Sequence, residues 1–442
     1  MAATQKTPLT REALRQYFFN GCKTSDDLKI GVEWEKIGVY KESGKAIRYS
    51  GPRGVRTILK ALVDKYGWTP VMSGPNPIAL KKGGTSITLE PGGQIELSGQ
   101  KATALHENAL ELFTHLAQIR KVSEPLGIVW LGTGIQPISR AAEIEWVPKK
   151  RYEIMRQALK NHATLSHRMM KETASIQTSL DYTSEKDAVQ KLRLAMALAP
   201  FLSAIFSNSP VSGGVLSGFR SERAFIWRHT APERTGILTQ VFRKNFSFDD
   251  YVEYALDVPM IFIIRKGHWI PSGGMTFRDY LARPLKGHRP TLEDWELHLT
   301  TIFTESRLKT YIEIRSVDCQ KMILGLAAPA LIKGLFYDPK SREKAWKIVE
   351  DIPVEELTRL MEEVPRSALK TRFQGKTLAE PAQKLVLLAG EGLKRLGQKN
   401  PALKNDAKYL EPLKKLTFLG LSPAEEVLKK FSPKKLPQLL SL

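Results

Sequence analysis

The spacing of apolar and polar residues changes repeatedly along the chain, and each change marks an element. Thr10 to Phe19 repeats apolar residues at helical spacing, with Thr10 as N-cap and Gly21 as stop. Leu28 to Tyr40, LKIGVEWEKIGVY, alternates instead, the pattern of a strand with one buried face. Pro52 to Tyr66 is helical again. Ile78 to Lys81 and Ser86 to Leu97 read as a hairpin about Gly83-Gly84, its second arm broken at Pro91-Gly92-Gly93. There follow a long helix (Leu105 to Leu126), a strand (Ile128 to Gln136) and a basic helix (Pro148 to Met170). Next come an alternating strand, SIQTSLDY (Ser175 to Tyr182), a helix (Glu185 to Phe206) and a Gly/Ser-rich loop (Asn208 to Gly218). Val258 to Ile264 and Trp269 to Pro271 form a hairpin around Lys266-Gly267, and Tyr311 to Val317 is the last clear strand. From Pro329 the pattern is helical, with breaks expected at Pro365, Pro381, Pro401, Pro412 and Pro423.

Strands and helices mix without a regular βαβ beat. That favours an α+β fold with a mostly antiparallel sheet over a doubly wound parallel one. Two regions are expected: a mixed α+β body over residues 1–325 and a helical region over 326–442 packed on it. The most apolar run, Leu194 to Phe206, is interrupted by Pro200 and Ser203 and is shorter than the roughly 18 residues of a span, so no membrane association is expected. The first residues, MAATQKTPLTREALRQYF, lack the apolar stretch of a secretory signal, and Glu12 with the short length argues against a transit peptide. Cys22 and Cys319, the chain's 2 cysteines, cannot build a disulfide framework. A reducing, cytoplasmic setting is therefore expected.

With 442 residues, 42% of them hydrophobic, the chain has ample material for a core, and disorder and disulfide scaffolds are excluded. The net charge of +21 changes the picture, because a field of that sign draws in anions. The C-terminal lysine pairs (Lys414-Lys415, Lys429-Lys430, Lys434-Lys435) are not interleaved with aromatic residues, which argues against a nucleic-acid stacking platform. No phosphate-binding GxxxxGK[ST] or GxGxxG loop, no zinc spacing and no nucleophile elbow is present.

Carboxylates on strands are the informative feature. Glu33 and Glu35 are two apart in an alternating run and so share a sheet face. Glu90 and Glu96 flank the bend in LEPGGQIELSG. Glu313 and Arg315 share a face in YIEIRSVD. Like charges converging on one face repel unless a cation lies between them, and carboxylates without His or Cys select hard cations such as Mg²⁺ or Mn²⁺. Magnesium beside arginine points to bound phosphate, hence a nucleotide. A third cluster, GFRSERAFIWRHTAPERTGIL, sets Arg220, Arg223, Arg228 and Arg234 around Trp227; arginine is the side chain that clamps carboxylate or phosphate through two bonds.

These segments resemble the plant-type glutamate–cysteine ligase family. The resemblance rests on GVEWEKIGVY, SITLEPGGQIELSG, SERAFIWRHTAPERTGIL, YALDVPMIF, GMTFRDYL, DWELHLTTIF and RLKTYIEIRSVD, with EVPRSALKT and AGEGLKRLG in the helical tail. It implies a glutamine-synthetase-like fold: a curved antiparallel bowl lined by metal-binding Glu, with helices outside. It also implies two-step chemistry, in which the γ-carboxylate of glutamate attacks the γ-phosphate of ATP and the cysteine amine then displaces phosphate. By the same resemblance Glu33, Glu35, Glu90, Glu96, Glu313 and Gln177 match metal positions. Arg315 matches a phosphate-contacting arginine and, with Glu313, the catalytic pair. Lys36 goes with Arg315 on the ATP side. Trp227 and Arg234 match the pair that holds glutamate, with Arg234 folded back over the Trp227 face, and Arg223 joins them on the substrate side.

Three stretches depart from the family pattern: RHTAPER, including His229, Ser179 after Gln177, and Glu172 before Thr173. They lie around the expected acceptor region, so a related ligase using another amine is the alternative within the family. A basic nucleic-acid- or lipid-binding protein is the alternative outside it; five retained Glu argue against that. Cys22 and Cys319 do not reproduce the disulfides that tune plant enzymes, and no redox switch of that kind is expected.

Overall fold

The alternating segment becomes the centre of the molecule because its first half carries Ile30, Val32 and Trp34 on one face and its second half is buried on both faces. Strand β1 spans Ile30–Tyr40, and Ile30, Trp34 and Ile37 are buried. The structure, a computed structural model, describes residues 9–160 and 165–442. Around β1 stand β2 (Thr69–Ser73), β3 (Asn76–Lys82), β4 (Thr85–Leu89), β5 (Ile95–Ser98), β6 (Ile128–Leu131), β7 (Ser175–Leu180), β8 (Ser306–Leu308) and β9 (Ile312–Asp318). They form one antiparallel sheet in the order β8-β9-β7-β1-β5-β4-β3-β2, with β6 on the second half of β1. This is the expected α+β architecture.

One face of the sheet packs a large core with the helices Val55–Tyr66, Leu105–Ser123 and Met322–Tyr337. A second core lies by the β8 end of the sheet, where Phe18, Tyr182, Phe248, Tyr251, Phe277 and Trp295 meet. Helices are not confined to the outside: Lys150–Ala158, Ser166–Glu172 and Glu222–Arg228 contribute side chains to a cavity against the other sheet face. The expected single helix from Pro148 to Met170 is two pieces, Lys150–Ala158 and Ser166–Glu172; its residues 161–164 lie outside the described residues.

Proline misleads in two ways. Pro200 and Pro365 sit inside Glu185–Ile205 and Val354–Ser367 without ending them. Pro381, Pro412 and Pro423 open helices, where a missing N–H costs nothing. The helix Glu185–Ile205 matches a membrane span in length and composition, yet 89% of its apolar window is buried in the protein.

The helix Met322–Tyr337 runs through the boundary drawn at residue 325. It crosses Ala379–Lys399 glycine to glycine: a Cβ on Gly334 would stand 2.2 Å from the Ala389 carbonyl, and one on Gly392 2.2 Å from the Gly334 carbonyl. Backbone, not a flexible tip, is in the way on both sides. Gly334→Ala should therefore lower stability by about 1–3 kcal/mol, read as a lower urea midpoint; an unchanged midpoint would show that the crossing has slack.

Candidate active site

Strand pairing collects the carboxylates. Glu33 lies opposite Gln177 and Glu35 opposite Glu96, while Thr88 is paired with Glu96 and Ser179 with Glu313. Partners in register share a face, so β1, β4, β5, β7 and β9 all present polar side chains to one side. Glu90 follows Thr88 by two and joins them. Its turn closes through Gly93, whose amide donates to the Glu90 carbonyl at 2.9 Å and whose φ of +86° is left-handed. Gly92 admits the Lys171 carbonyl, 2.3 Å from where a Cβ would stand.

These residues line a cavity of about 270 Å³. Its sheet wall is Glu33, Glu35, Glu90, Glu96, Gln177 and Glu313. Its helical and loop wall carries Lys149, Arg151, Arg223 and Trp227, with Arg307 and Arg315 from the sheet edge. The cavity therefore sets anionic and cationic groups against each other.

The carboxylates are not alike. Glu313 is gripped by Arg307, at 2.9 Å from Nε to Oε2 and 2.8 Å from Nη2 to Oε1, and by Arg315 Nη1 at 2.8 Å. Burial alone would raise its pKa; the two guanidiniums outweigh burial and hold it down to about 2. Glu35 moves the other way, to about 8: burial is the main cause, and the Glu90 and Glu96 charges add to it, against relief from Arg223 and the Ser175 amide. Glu90 is raised to about 7 by burial and by Glu96. Glu33 is raised well above the carboxylate range by burial, Glu96 and Glu313. Gln177 joins the two kinds, donating to Glu35 Oε1 at 3.1 Å and accepting from Arg315.

Oxygen donors alone, three of them short of positive partners, fit a hard cation. Among the described residues no three His, Cys, Asp or Glu side chains yet stand close enough to hold one. The side chains of Glu33 and Glu90 have no hydrogen-bond partner within the described residues, so both can turn toward a cation. Glu96 keeps Oε2 free, while Oε1 accepts from Thr88 at 2.9 Å and Ser98 at 2.8 Å. Glu313 is already committed to arginine.

Two assignments are corrected. Lys36 does not line the cavity: it alternates with Glu35, lies on the opposite face at 0% exposure, and donates to the Trp34 carbonyl at 2.6 Å. Burial lowers its pKa to about 7. Arg234 is not folded over Trp227. Its guanidinium is taken by the carbonyls of Thr301 (3.1 Å) and Pro259 (2.6 Å) and by Glu233 (3.2 Å), and it lines a neighbouring cavity of about 700 Å³. The guanidiniums at the Trp227 ring are those of Arg223 and Arg315, 5.7 and 5.6 Å from its centroid.

Arg307, Lys149 and Arg151 went unassigned in the sequence, although Lys149 and Arg151 belong to the basic stretch read there as a helix. Glu172, Ser179 and His229 are not among the cavity-lining residues. Glu172 is buried in an ion pair with Arg168 at 2.8 Å.

Residues 29–437 match the glutamate-cysteine ligase family 2. The chain belongs to that family. It is 40% identical over 436 residues to the chloroplastic glutamate–cysteine ligase of Nicotiana tabacum, covering 98% of this chain and 82% of that one. It is likewise 40% identical over 434 residues to the chloroplastic enzyme of Arabidopsis thaliana, covering 98% and 81%. The crystal structure of a glutamate–cysteine ligase from Francisella tularensis in complex with AMP shares the fold at a TM-score of 0.58 and 13% identity, over 94% of this chain and 87% of that one. The cytoplasmic expectation is overturned, since these matched ligases are chloroplastic. Two unpaired cysteines do not distinguish one compartment from another.

The raised carboxylates of this ligase make its stability depend on pH. Their folded pKa values lie above the unfolded value of 4.5, so their contribution is present below about pH 4.5 and lost as pH rises through 7 to 8. In EDTA the urea midpoint should fall between pH 5 and 8, and Mg²⁺ should restore it most at the alkaline end. A midpoint indifferent to Mg²⁺ at pH 8 would remove the carboxylates as a cation site.

Proposed function

We infer that the chain is an ATP-dependent glutamate–cysteine ligase. It converts the γ-carboxylate of L-glutamate to γ-glutamyl phosphate and transfers the glutamyl group to the amine of L-cysteine, giving γ-glutamylcysteine for glutathione biosynthesis. The observation that carries this reading is the cavity of opposed charge inside the region matched to the family. Glutamate and ATP are both anions, and bringing them together requires cationic groups on one side and a cation on the other.

Glu33, Glu35, Glu90 and Glu96 are the residues that would hold Mg²⁺, or Mn²⁺ in its place. A cation held there would supply the positive charge that neutralises the triphosphate and the transferring phosphoryl group. Arg315 offers its fork to that phosphoryl group, and Glu313, anchored by Arg307, fixes where Arg315 stands. Gln177 ties the carboxylate wall to Arg315, so phosphate and cation sides move together. Trp227 and Arg223 form the glutamate side, leaving Arg234 as a support for the loop at Thr301. In the first step the P–O bond to ADP breaks as the glutamate oxygen bonds phosphorus. In the second the amine nitrogen bonds the acyl carbon, phosphate leaves, and the nitrogen gives up a proton.

Phosphate release with glutamate, ATP and Mg²⁺, with and without cysteine, tests the reading. Cysteine should stimulate release and yield a product with the mass of γ-glutamylcysteine. A γ-glutamyl product formed only with another amine would replace the acceptor, and no γ-glutamyl product at all would overturn the reading. Glu33→Gln should lose about 100-fold or more in kcat, about 3 kcal/mol at the transition state, with no loss of folding because Glu33 makes no hydrogen bond that the fold needs. Near-normal rates at saturating Mg²⁺ would remove Glu33 from the set. Arg315→Lys keeps the charge and loses the fork; its kcat should fall while its melting temperature holds.

A further inference from the structure

The segment YIEIRSVD ends in an aspartate that the chemistry above does not use. Asp318 is the last residue of β9 and is 2% exposed. Its Oδ2 accepts hydrogen bonds from the Asn208 amide at 2.8 Å and the Ser209 hydroxyl at 2.7 Å. Its Oδ1 accepts from the Ser221 hydroxyl at 2.9 Å. Two of these partners lead directly to the helix Glu222–Arg228. Ser221 is the N-cap of that helix, accepting from the Ala224 amide at 3.1 Å. Ser209 Oγ accepts from the Arg223 amide at 3.2 Å. Arg223 closes the circuit: Nη1 lies 3.7 Å from Asp318 Oδ1, and Nη2 donates to the Arg315 carbonyl at 2.9 Å.

A helix of 7 residues cannot stand by its own hydrogen bonds, so what grips its first turn decides where it lies. Here the grip comes from the end of β9, the strand that carries Glu313 and Arg315. The same helix presents Arg223 and Trp227 to the cavity. Arg223 and Arg315, 5.7 and 5.6 Å from the Trp227 ring centroid, are like charges that repel, and the buried Asp318 carboxylate beside Arg223 offsets that repulsion. Asp318 already accepts three hydrogen bonds, and Arg223 stands beside it at 3.7 Å as a charge partner.

We propose that Asp318 is a positioning residue for the substrate side of the cavity, fixing Glu222–Arg228 to β9 so that Arg223 and Trp227 face glutamate at a set distance from Arg315. This rests on the reading of Arg223 and Trp227 as the glutamate side. Asp318 touches no reacting atom and acts through Ser209, Ser221 and Arg223. Glu33, Glu35, Glu90 and Glu96 sit on β1, β5 and the β4–β5 turn, and none of their side chains bonds Asp318.

Steady-state kinetics of the full chain, with thermal unfolding of each variant, test this. The set is Asp318→Asn, Ser221→Ala, Trp227→Phe and the Asp318→Asn/Trp227→Phe double variant. Asparagine keeps the shape and sets an N–H where an acceptor is needed. Asp318→Asn should raise KM for glutamate about tenfold and change KM for ATP by less than about twofold. Ser221→Ala should move the same constant in the same direction. The double variant should be within about twofold of Trp227→Phe, because the two act through one helix. Unchanged KM for glutamate in both Asp318→Asn and Ser221→Ala overturns the proposal, and so does an equal loss toward both substrates. Should Asp318→Asn fail to fold, Ser221→Ala decides: a selective rise supports the proposal and a normal KM overturns it. If Trp227→Phe leaves KM for glutamate unchanged, the glutamate assignment of Trp227 falls; a selective rise in Asp318→Asn then supports positioning through Arg223 alone.

Discussion

Carboxylates held on one face of one sheet are the constraint on which the rest of this protein depends. Glu33, Glu35, Glu96 and Glu313 are brought together by strand register, and the β4–β5 turn adds Glu90. Left to themselves they would push the strands apart. They stay because alternate residues of the same strands, Ile30 and Trp34 on β1, Ile95 and Leu97 on β5, Ile176 on β7 and Ile312 and Ile314 on β9, are buried in apolar cores. Each large buried side chain contributes about 1.5–3 kcal/mol, and several per strand outweigh the repulsion opposite. The strain that remains shows in the acidities of Glu35 and Glu90, which sit where an anion is disfavoured until positive charge arrives.

The opposing wall solves the complementary problem. Arg307 and Arg315 share Glu313, a buried charge that is fully paired and therefore tolerable, whereas an unpaired one would be costly. Arg223 leans on the Arg315 carbonyl and on Asp318, and Lys149 and Arg151 come in from the helix above. None of these cations is placed by a long element. Arg307 and Arg315 sit on strands of the sheet, while Arg223, Lys149 and Arg151 sit on short helices or at their ends, so that side of the cavity is only as well placed as those attachments.

The same dependence explains why the helical C-terminal part is not a separate body. The helix Met322–Tyr337 backs β1, with a Cβ on Gly325 excluded by the Trp34 ring, and its own far side meets Ala379–Lys399 at Gly334 and Gly392. The outer helices are thus packed, through Met322–Tyr337, against the strand that carries Glu33 and Glu35. The cations behind the net charge of +21 are spread along the chain, and the cavity draws on only a few of them.

Alternation within single strands was enough to place Glu33 and Glu35, Glu313 and Arg315 on common faces, because a strand has a period of two whatever it packs against. The same rule, applied strictly, already sends Lys36 to the other face. The turn at Pro91-Gly92-Gly93 and the antiparallel character were equally local, and so was the motif content that marks the family. Register, partners and short elements were not. That Arg307 would face Glu313 depends on β8, a strand of 3 residues too short to show a period. That Arg234 would spend its guanidinium on the carbonyls of Thr301 and Pro259, leaving the Trp227 ring to Arg223 and Arg315, depends on segments far apart in the chain. The residue types and the faces they share are thus properties of the sequence; which charge neutralises which is a property of distance, and distance is set only when the strands pair and the cores close.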